Sequence, residues 1–320
     1  MSFLDRLFGA GGTPSPVRGL PVEGSATSSF TTQPAEAPSV TVSATVLPAP
    51  ESARELSVDL RAAWVAATAK ASIELAPVPG RPGPVDSKIG GQPYLAPGQS
   101  WPRATDGGPA LFLLAQINLA QLPALPGFPA RGLLQFFIAG DDTHGMDYRE
   151  PAHGIGHRVV FHPDPPAGGW EAGSVGPDVE RAVEYMDVPF TNADGVCLAG
   201  RLANRPMPPD DFRFEAAFAE FLAAPANLGL AERLRRAESF DLKRAFSSAG
   251  HRLGGYPRFA HTDRRMRGDL AGFSTLLLQL DSDESAGLVW GDGGTCGFFI
   301  EPERLAALDF SRVLYCWDCQ

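Results

Sequence analysis

Apolar residues along this chain recur at two periods, and each period predicts a different kind of element. Leu56, Leu60, Trp64, Ala67 and Ala71 fall on one helical face behind Ser52-Ala-Arg-Glu55, a capping-box pattern. Prolines at 77, 79 and 82 are predicted to end that helix. A second helix is predicted after Pro208-Pro209, with an aspartate cap, a stripe of Phe214, Phe218 and Phe221, and Pro225 as its stop. Aromatic residues at that spacing read as core packing. A shorter helix is predicted over 230–237, with Leu230 and Leu234 inward and Arg233, Arg235 and Arg236 solvated. Elsewhere, short apolar runs lie between Gly, Pro and Asp turns and predict strands at 133–138, 158–162, 276–280, 288–290, 298–300 and 313–317.

The same pattern repeats within the chain. Lys88-Ile-Gly-Gly-Gln-Pro93 returns as Arg252-Leu-Gly-Gly-Tyr-Pro257, 164 positions later. Leu113-Leu-Ala-Gln-Ile-Asn118 returns as Leu276-Leu-Leu-Gln-Leu-Asp281 at 163, and Gly132-Leu-Leu-Gln-Phe-Phe-Ile138 as Gly294-Thr-Cys-Gly-Phe-Phe-Ile300 at 162. Alternate residues of a strand face opposite sides, so both copies of the middle segment put a Gln and then an Asn or Asp on one face. The fold class expected is α+β, with two related antiparallel β-rich halves (an internal duplication) at about 80–165 and 245–320. Helices are expected before the first half and between the two.

Composition changes the picture at the N-terminus. Positions 13–50 hold seven Pro and twelve Ser or Thr, with only Arg18, Glu23 and Glu36 charged. Such a stretch buries too little apolar surface to offset the entropy of ordering, so 10–51 is expected to be a disordered linker. Ahead of it, Phe3, Leu4, Leu7 and Phe8 make residues 1–9 a short amphipathic peptide able to dock on a partner, or else a frayed terminus. The domain proper is placed at 52–320. A formal net charge of -10 argues against non-specific nucleic-acid binding, and no apolar run is long enough to span a membrane. Four cysteines are no disulfide framework and the start lacks a signal-peptide pattern, so the expected compartment is the cytoplasm.

Lys88-Ile-Gly-Gly-Gln-Pro-Tyr94, Trp101-Pro102, Phe112 to Leu119, Gly132 to Phe137, His251 to Pro257, Trp290-Gly-Asp-Gly-Gly294, Asp309-Phe-Ser311 and Trp317-Asp-Cys319 together resemble the YwqG-like family of bacterial domains. The resemblance covers about 80–320. It implies an α+β domain, carries no established activity, cofactor or catalytic residue, and admits an immunity-like role. Where that family shows Gln before an Asp-Pro-Arg-like segment, this chain has His261-Thr-Asp-Arg264.

Candidate chemistry follows from these motifs. Gly90-Gly91 and Gly254-Gly255 allow positive φ and close backbone approach, so they either line a cleft between the halves or form tight turns. Gln116 with Asn118, and Gln279 with Asp281, either offer amide and carboxylate groups to that cleft or occupy an ordinary sheet face. His144, His153, His157 and His162 lie beside Asp141, Asp142, Asp147 and Asp164, which is imidazole-plus-carboxylate chemistry without a ligand spacing that fixes geometry. Cys316-Trp-Asp-Cys319 needs two further ligands to hold zinc, from Cys197, Cys296 or a His. Asp281-Ser-Asp-Glu-Ser285 opens like a calcium loop but has its Gly one place late. Neither a P-loop, a dinucleotide fingerprint nor a nucleophile elbow is present. The expected function is a non-catalytic module that binds a ligand or partner in the inter-half cleft through Gly90, Gly91, Gln116, Asn118, Gly254, Gly255, Gln279 and Asp281. It needs no cofactor and no metal. The alternative is a metal-assisted hydrolase built on the 144–164 segment.

Overall fold

The structure is a computed structural model that describes residues 53–165, 176–237 and 240–320. The N-terminal peptide, the linker and Ser52 of the capping box lie outside these residues. Among the described residues six α-helices and ten strands follow in chain order: α1 (Ala53–Thr68), β1 (Lys70–Val78), β2 (Lys88–Ile89), β3 (Phe112–Asn118), β4 (Leu133–Ile138), β5 (His157–His162), α2 (Val179–Glu184), β6 (Val196–Arg205), α3 (Phe214–Ala223), α4 (Leu228–Arg236), α5 (Leu242–Ala245), β7 (His251–Gly254), β8 (Thr275–Asp281), β9 (Thr295–Ile300), α6 (Pro302–Ala306) and β10 (Leu314–Asp318).

Helix α1 uses Leu56, Leu60 and Trp64 as predicted but stops at Thr68, not at the prolines. The Thr68 hydroxyl donates to Trp64 O at 2.8 Å and accepts from Met207 N–H at 3.1 Å. From Lys70 the chain is strand, because all nine residues of β1 pair with β6. This long-range pairing overrides the helical spacing of Ala71. Pro77 is tolerated because β7 pairs only with Ser72 to Leu75, leaving that side of β1 open further on. Two smaller predictions are also corrected. The 288–290 strand reduces to isolated bridges from Leu288 to Phe190 and Asp283. Helix α3 begins after Arg213 without a side-chain cap, because the Asp211 carboxylate is taken by the Arg213 guanidinium.

The ten strands form one sheet in the order β10-β9-β8-β7-β1-β6-β2-β3-β4-β5, with antiparallel pairing throughout. Exchanging β1–β5 for β6–β10 turns this order into its own reverse. The registers correspond as well. Lys88 stands opposite Gln116 and Arg252 opposite Gln279. The β3–β4 pairing slips between Leu113 and Ala115, and the β8–β9 pairing between Leu276 and Leu278. Strand β6, in the segment expected to be mostly helical, therefore occupies the sheet centre beside β1.

The sheet curls until its two edge strands nearly meet, so the fold is barrel-like. Phe298 of β9 lies 5.0 Å from Phe136 of β4 and stacks on Tyr315 at 4.5 Å. Across the seam Tyr315 N–H donates to Pro151 O, and the buried His157 donates from Nε2 to Val313 O at 2.8 Å. The main core fills the interior with side chains such as Leu114, Ile117, Phe136, Leu277 and Phe298. A second core joins α1, α3, α4 and α5, with Trp64 edge-on to Phe214, Phe218 and Phe221 at 5.0–5.6 Å. These rings are packing, as their spacing predicted. Between the two cores sits a buried ion cluster in which Arg265 binds Asp263 at 2.6 Å and Asp211 at 3.2 Å. No helix among the described residues is long and apolar enough to cross a membrane.

Candidate functional site

Each half builds its polar centre from one buried glutamine. Gln116 is fully buried; its Oε1 accepts from Tyr94 N–H at 2.9 Å and its Nε2 donates to Pro84 O and Asp86 O. Gln279 does the same: Oε1 accepts from Arg258 N–H at 2.7 Å, and Nε2 donates to Ser248 O and Gly250 O. All three partners in one half lie 164 positions from those in the other. The next polar pair diverges. Asn118 donates to Val85 O, whereas Asp281 accepts from Gly250 N–H, Arg258 and Thr295. Gln135 joins the first network, donating to Gln116 Oε1 and Tyr94 O. These side chains lie on the sheet face opposite the main core and are occupied by their own half's turns. Four strands separate β3 from β8, and Gln116 and Gln279 share no hydrogen-bond partner.

The paired glycines brace the turns those glutamines hold. Gly91 and Gly255 have φ of 73° and 71°, in the left-handed region. A Cβ on Gly91 would stand 2.7 Å from Asp194 O, and one on Gly255 would stand 2.8 Å from Ser72 Cβ. Each turn thus packs against the entry to the strand beside it, and glycine is required for both reasons.

One side of the first network opens onto a cavity of about 490 Å³. Gln92 and Pro93 of the Gly-Gly turn, Gly83 and Pro84, Lys88, and the Asp178 and Asp194 segments line it. Lys88 is 2% exposed, and its ammonium donates to Gly83 O at 3.0 Å and Pro84 O at 3.4 Å. Burial lowers its pKa to about 8, with Asp86 and Cys197 pulling the other way. The Asp86 oxygens are already engaged by Gly83 N–H at 2.7 Å and the Gln121 amide at 2.8 Å. Sequence reasoning passed over Lys88 as part of a turn motif. Its match to Arg252 across the repeat was the available signal. None of the eight residues expected to bind a ligand lines this cavity: Gly90, Gly91, Gln116 and Asn118 lie behind its wall, and Gly254, Gly255, Gln279 and Asp281 belong to the other half.

The remaining candidates separate. His144 contacts Asp187 O and the rings of Trp290 and Trp317, and His162 reaches Gln135 Oε1. His157 is taken by Val313 O, while Asp164 pairs with Arg131 at 3.3 Å. Among the described residues, no three metal-ligating side chains converge. All four cysteines are free. Cys316 is buried, which pushes its thiol up to about 12, so the thiolate needed for ligation or redox chemistry is suppressed. Asp283 caps a short turn through Ser285 and meets His251 Nε2 at 3.1 Å, so the calcium-like stretch is a structural turn.

A family model described as a domain of unknown function, DUF1963, matches residues 87–319, and the chain belongs to that family. No curated protein matches it.

Proposed function

We propose that this DUF1963 member is a non-catalytic module of the cytoplasm that binds a small ligand in the cavity beside the Gly90-Gly91 turn. The observation that carries the reading is a cavity of about 490 Å³ built directly on a buried, hydrogen-bonded framework, the arrangement of a preformed pocket. Gln116 fixes the Pro84 and Asp86 carbonyls, and Gly91 fixes the turn that presents Gln92. The walls are therefore rigid before a ligand arrives, which lowers the ordering cost of binding. Four unpaired cysteines support the compartment.

The same reading takes the halves as copies of one ancestral unit. The reversed strand order, the matching register slips and the two equivalent glutamine networks support it. The proposed cavity is therefore not the cleft between the halves expected from the sequence; it lies on the first copy and its connection to the second. Native mass spectrometry of the purified chain after exposure to a small-molecule metabolite extract tests the function. A releasable adduct is expected, and Gln92→Trp, which fills the mouth of the cavity, should abolish it. An adduct undiminished in folded Gln92→Trp, or no adduct with the parent chain, refutes the assignment.

A further inference from the structure

The two halves put a cation at the same place, and among the described residues neither forms an ion pair with a carboxylate. Lys88 and Arg252 both precede a Gly-Gly pair, both face a buried glutamine across the sheet, and both are 2% exposed. On the opposite side Arg252 stands across from Glu74, whereas Lys88 stands across from Cys197. Two residues beyond the glutamine, the second half carries Asp281 and the first carries Asn118. Arg252 thus sits in the field of two carboxylates, Glu74 and Asp281, which are themselves paired with Arg201 and Arg205 and with Arg258. At Lys88 a thiol and a carboxamide replace them. Asp86 acts on Lys88 only through space, and among the described residues no carboxylate makes an ion pair with it.

A buried ammonium without a paired anion is unfavourable, and Lys88 and both residues whose carbonyls hold its ammonium, Gly83 and Pro84, line the cavity. The charges at the mouth run the other way. Asp178, Glu180 and Asp194 are exposed there, against the single exposed cation Arg81, which lies 3.7 Å from Asp194. A polyanion satisfies Lys88 but is opposed at the mouth, and a simple amine satisfies only the mouth.

Resting on the cavity reading above, we infer that the ligand is a small zwitterion of amino-acid type, its carboxylate paired with Lys88 and its cationic group at the acidic mouth. Calorimetric titration with 6-aminohexanoate, hexanoate and hexylamine tests this, since the last two each remove one charge. The zwitterion should bind at least tenfold more tightly than either analogue. Lys88→Met should erase its advantage over hexylamine, while Lys88→Arg should keep it. Circular dichroism and a thermal melt confirm that the variants fold. Equal binding of hexylamine and 6-aminohexanoate, failure of all three probes to bind, or an advantage retained in Lys88→Met overturns the inference. A metabolite adduct that is lost in Gln92→Trp but indifferent to Lys88→Met would overturn the zwitterion while leaving the cavity assignment intact.

Discussion

Acid should open the barrel seam through His157. This imidazole is buried between β5 and the segment entering β10, near the rings of Phe298 and Tyr315. Its Nε2–H is bonded to Val313 O. Burial lowers its pKa from 6.5 to about 4, and the neighbouring Arg158 adds to the effect. The unfolded chain therefore binds a proton in a window, from 6.5 down to about 4, where the native chain does not. Stability must fall as pH falls through that window and is unaffected by this group above it. At about 1.4 kcal/mol per unit of pKa, the full loss is about 3 kcal/mol. Urea denaturation from pH 7 to pH 4 measures it, with His157→Gln as the reference that titrates no proton. The parent should lose about 3 kcal/mol more than the variant across the window. Exchange of the Tyr315 amide, whose partner Pro151 lies across the seam, should accelerate in the parent alone. Parallel stability curves for the two proteins would refute the reasoning, because they would mean that His157 charges without cost.

Other expectations follow from groups whose partners are equally specific. Lys88 loses its proton above its pKa of about 8, so the affinity for 6-aminohexanoate should fall about tenfold between pH 7 and pH 9; a flat profile by calorimetry would exclude an ammonium contact. Gln116→Leu and Gln279→Leu each strand two buried backbone carbonyls and one amide, at a cost of about 3 kcal/mol each in chemical denaturation, and a cost below about 1 kcal/mol would contradict the networks. Arg265→Met leaves Asp211 and Asp263 buried beside each other and should destabilise by about 3–5 kcal/mol. Adding Asp263→Asn should recover part of that loss, and no recovery would show that the packing of Arg265 on Phe299, not its charge, is what matters.

Local pattern made much of the fold legible. Strand β4 has its predicted bounds, Leu133–Ile138, because the seven consecutive apolar or amide residues between Gly132 and Gly140 admit little else. Phe214 and Phe218 gave away the helical core by spacing alone. Strands β1 and β6 escaped notice because neither alternates cleanly: Pro77 interrupts the first, and the second is Val-Cys-Leu-Ala-Gly-Arg-Leu-Ala-Asn-Arg, with four of its ten residues exposed and one buried. Long-range pairing makes them strands, with each other over nine residues and with β7 and β2 on their outer sides. The site divides in the same way. Gln116 and Gln279 stood out because they repeat, but whether they face a cleft or a neighbouring turn depends on 84–86 and 248–250, whose carbonyl positions no periodicity encodes. Lys88 shows the converse case: its importance lies in the absence of Glu and Asp at positions that become its neighbours only in the folded sheet.

Strand β1 precedes the first half in the chain yet hydrogen-bonds only to β6 and β7, while β6 hydrogen-bonds only to β1 and β2. The halves have therefore traded their leading strands. A polypeptide ending after β5 would hold β1 with no partner and would lack the neighbour that β2 requires, so it cannot become an autonomous folding unit. Two fragments cut between β5 and β6 should instead be obligate complements, each templating the other's sheet when mixed. On the proposed duplication, a lone ancestral copy would have had to assemble as a strand-exchanged pair.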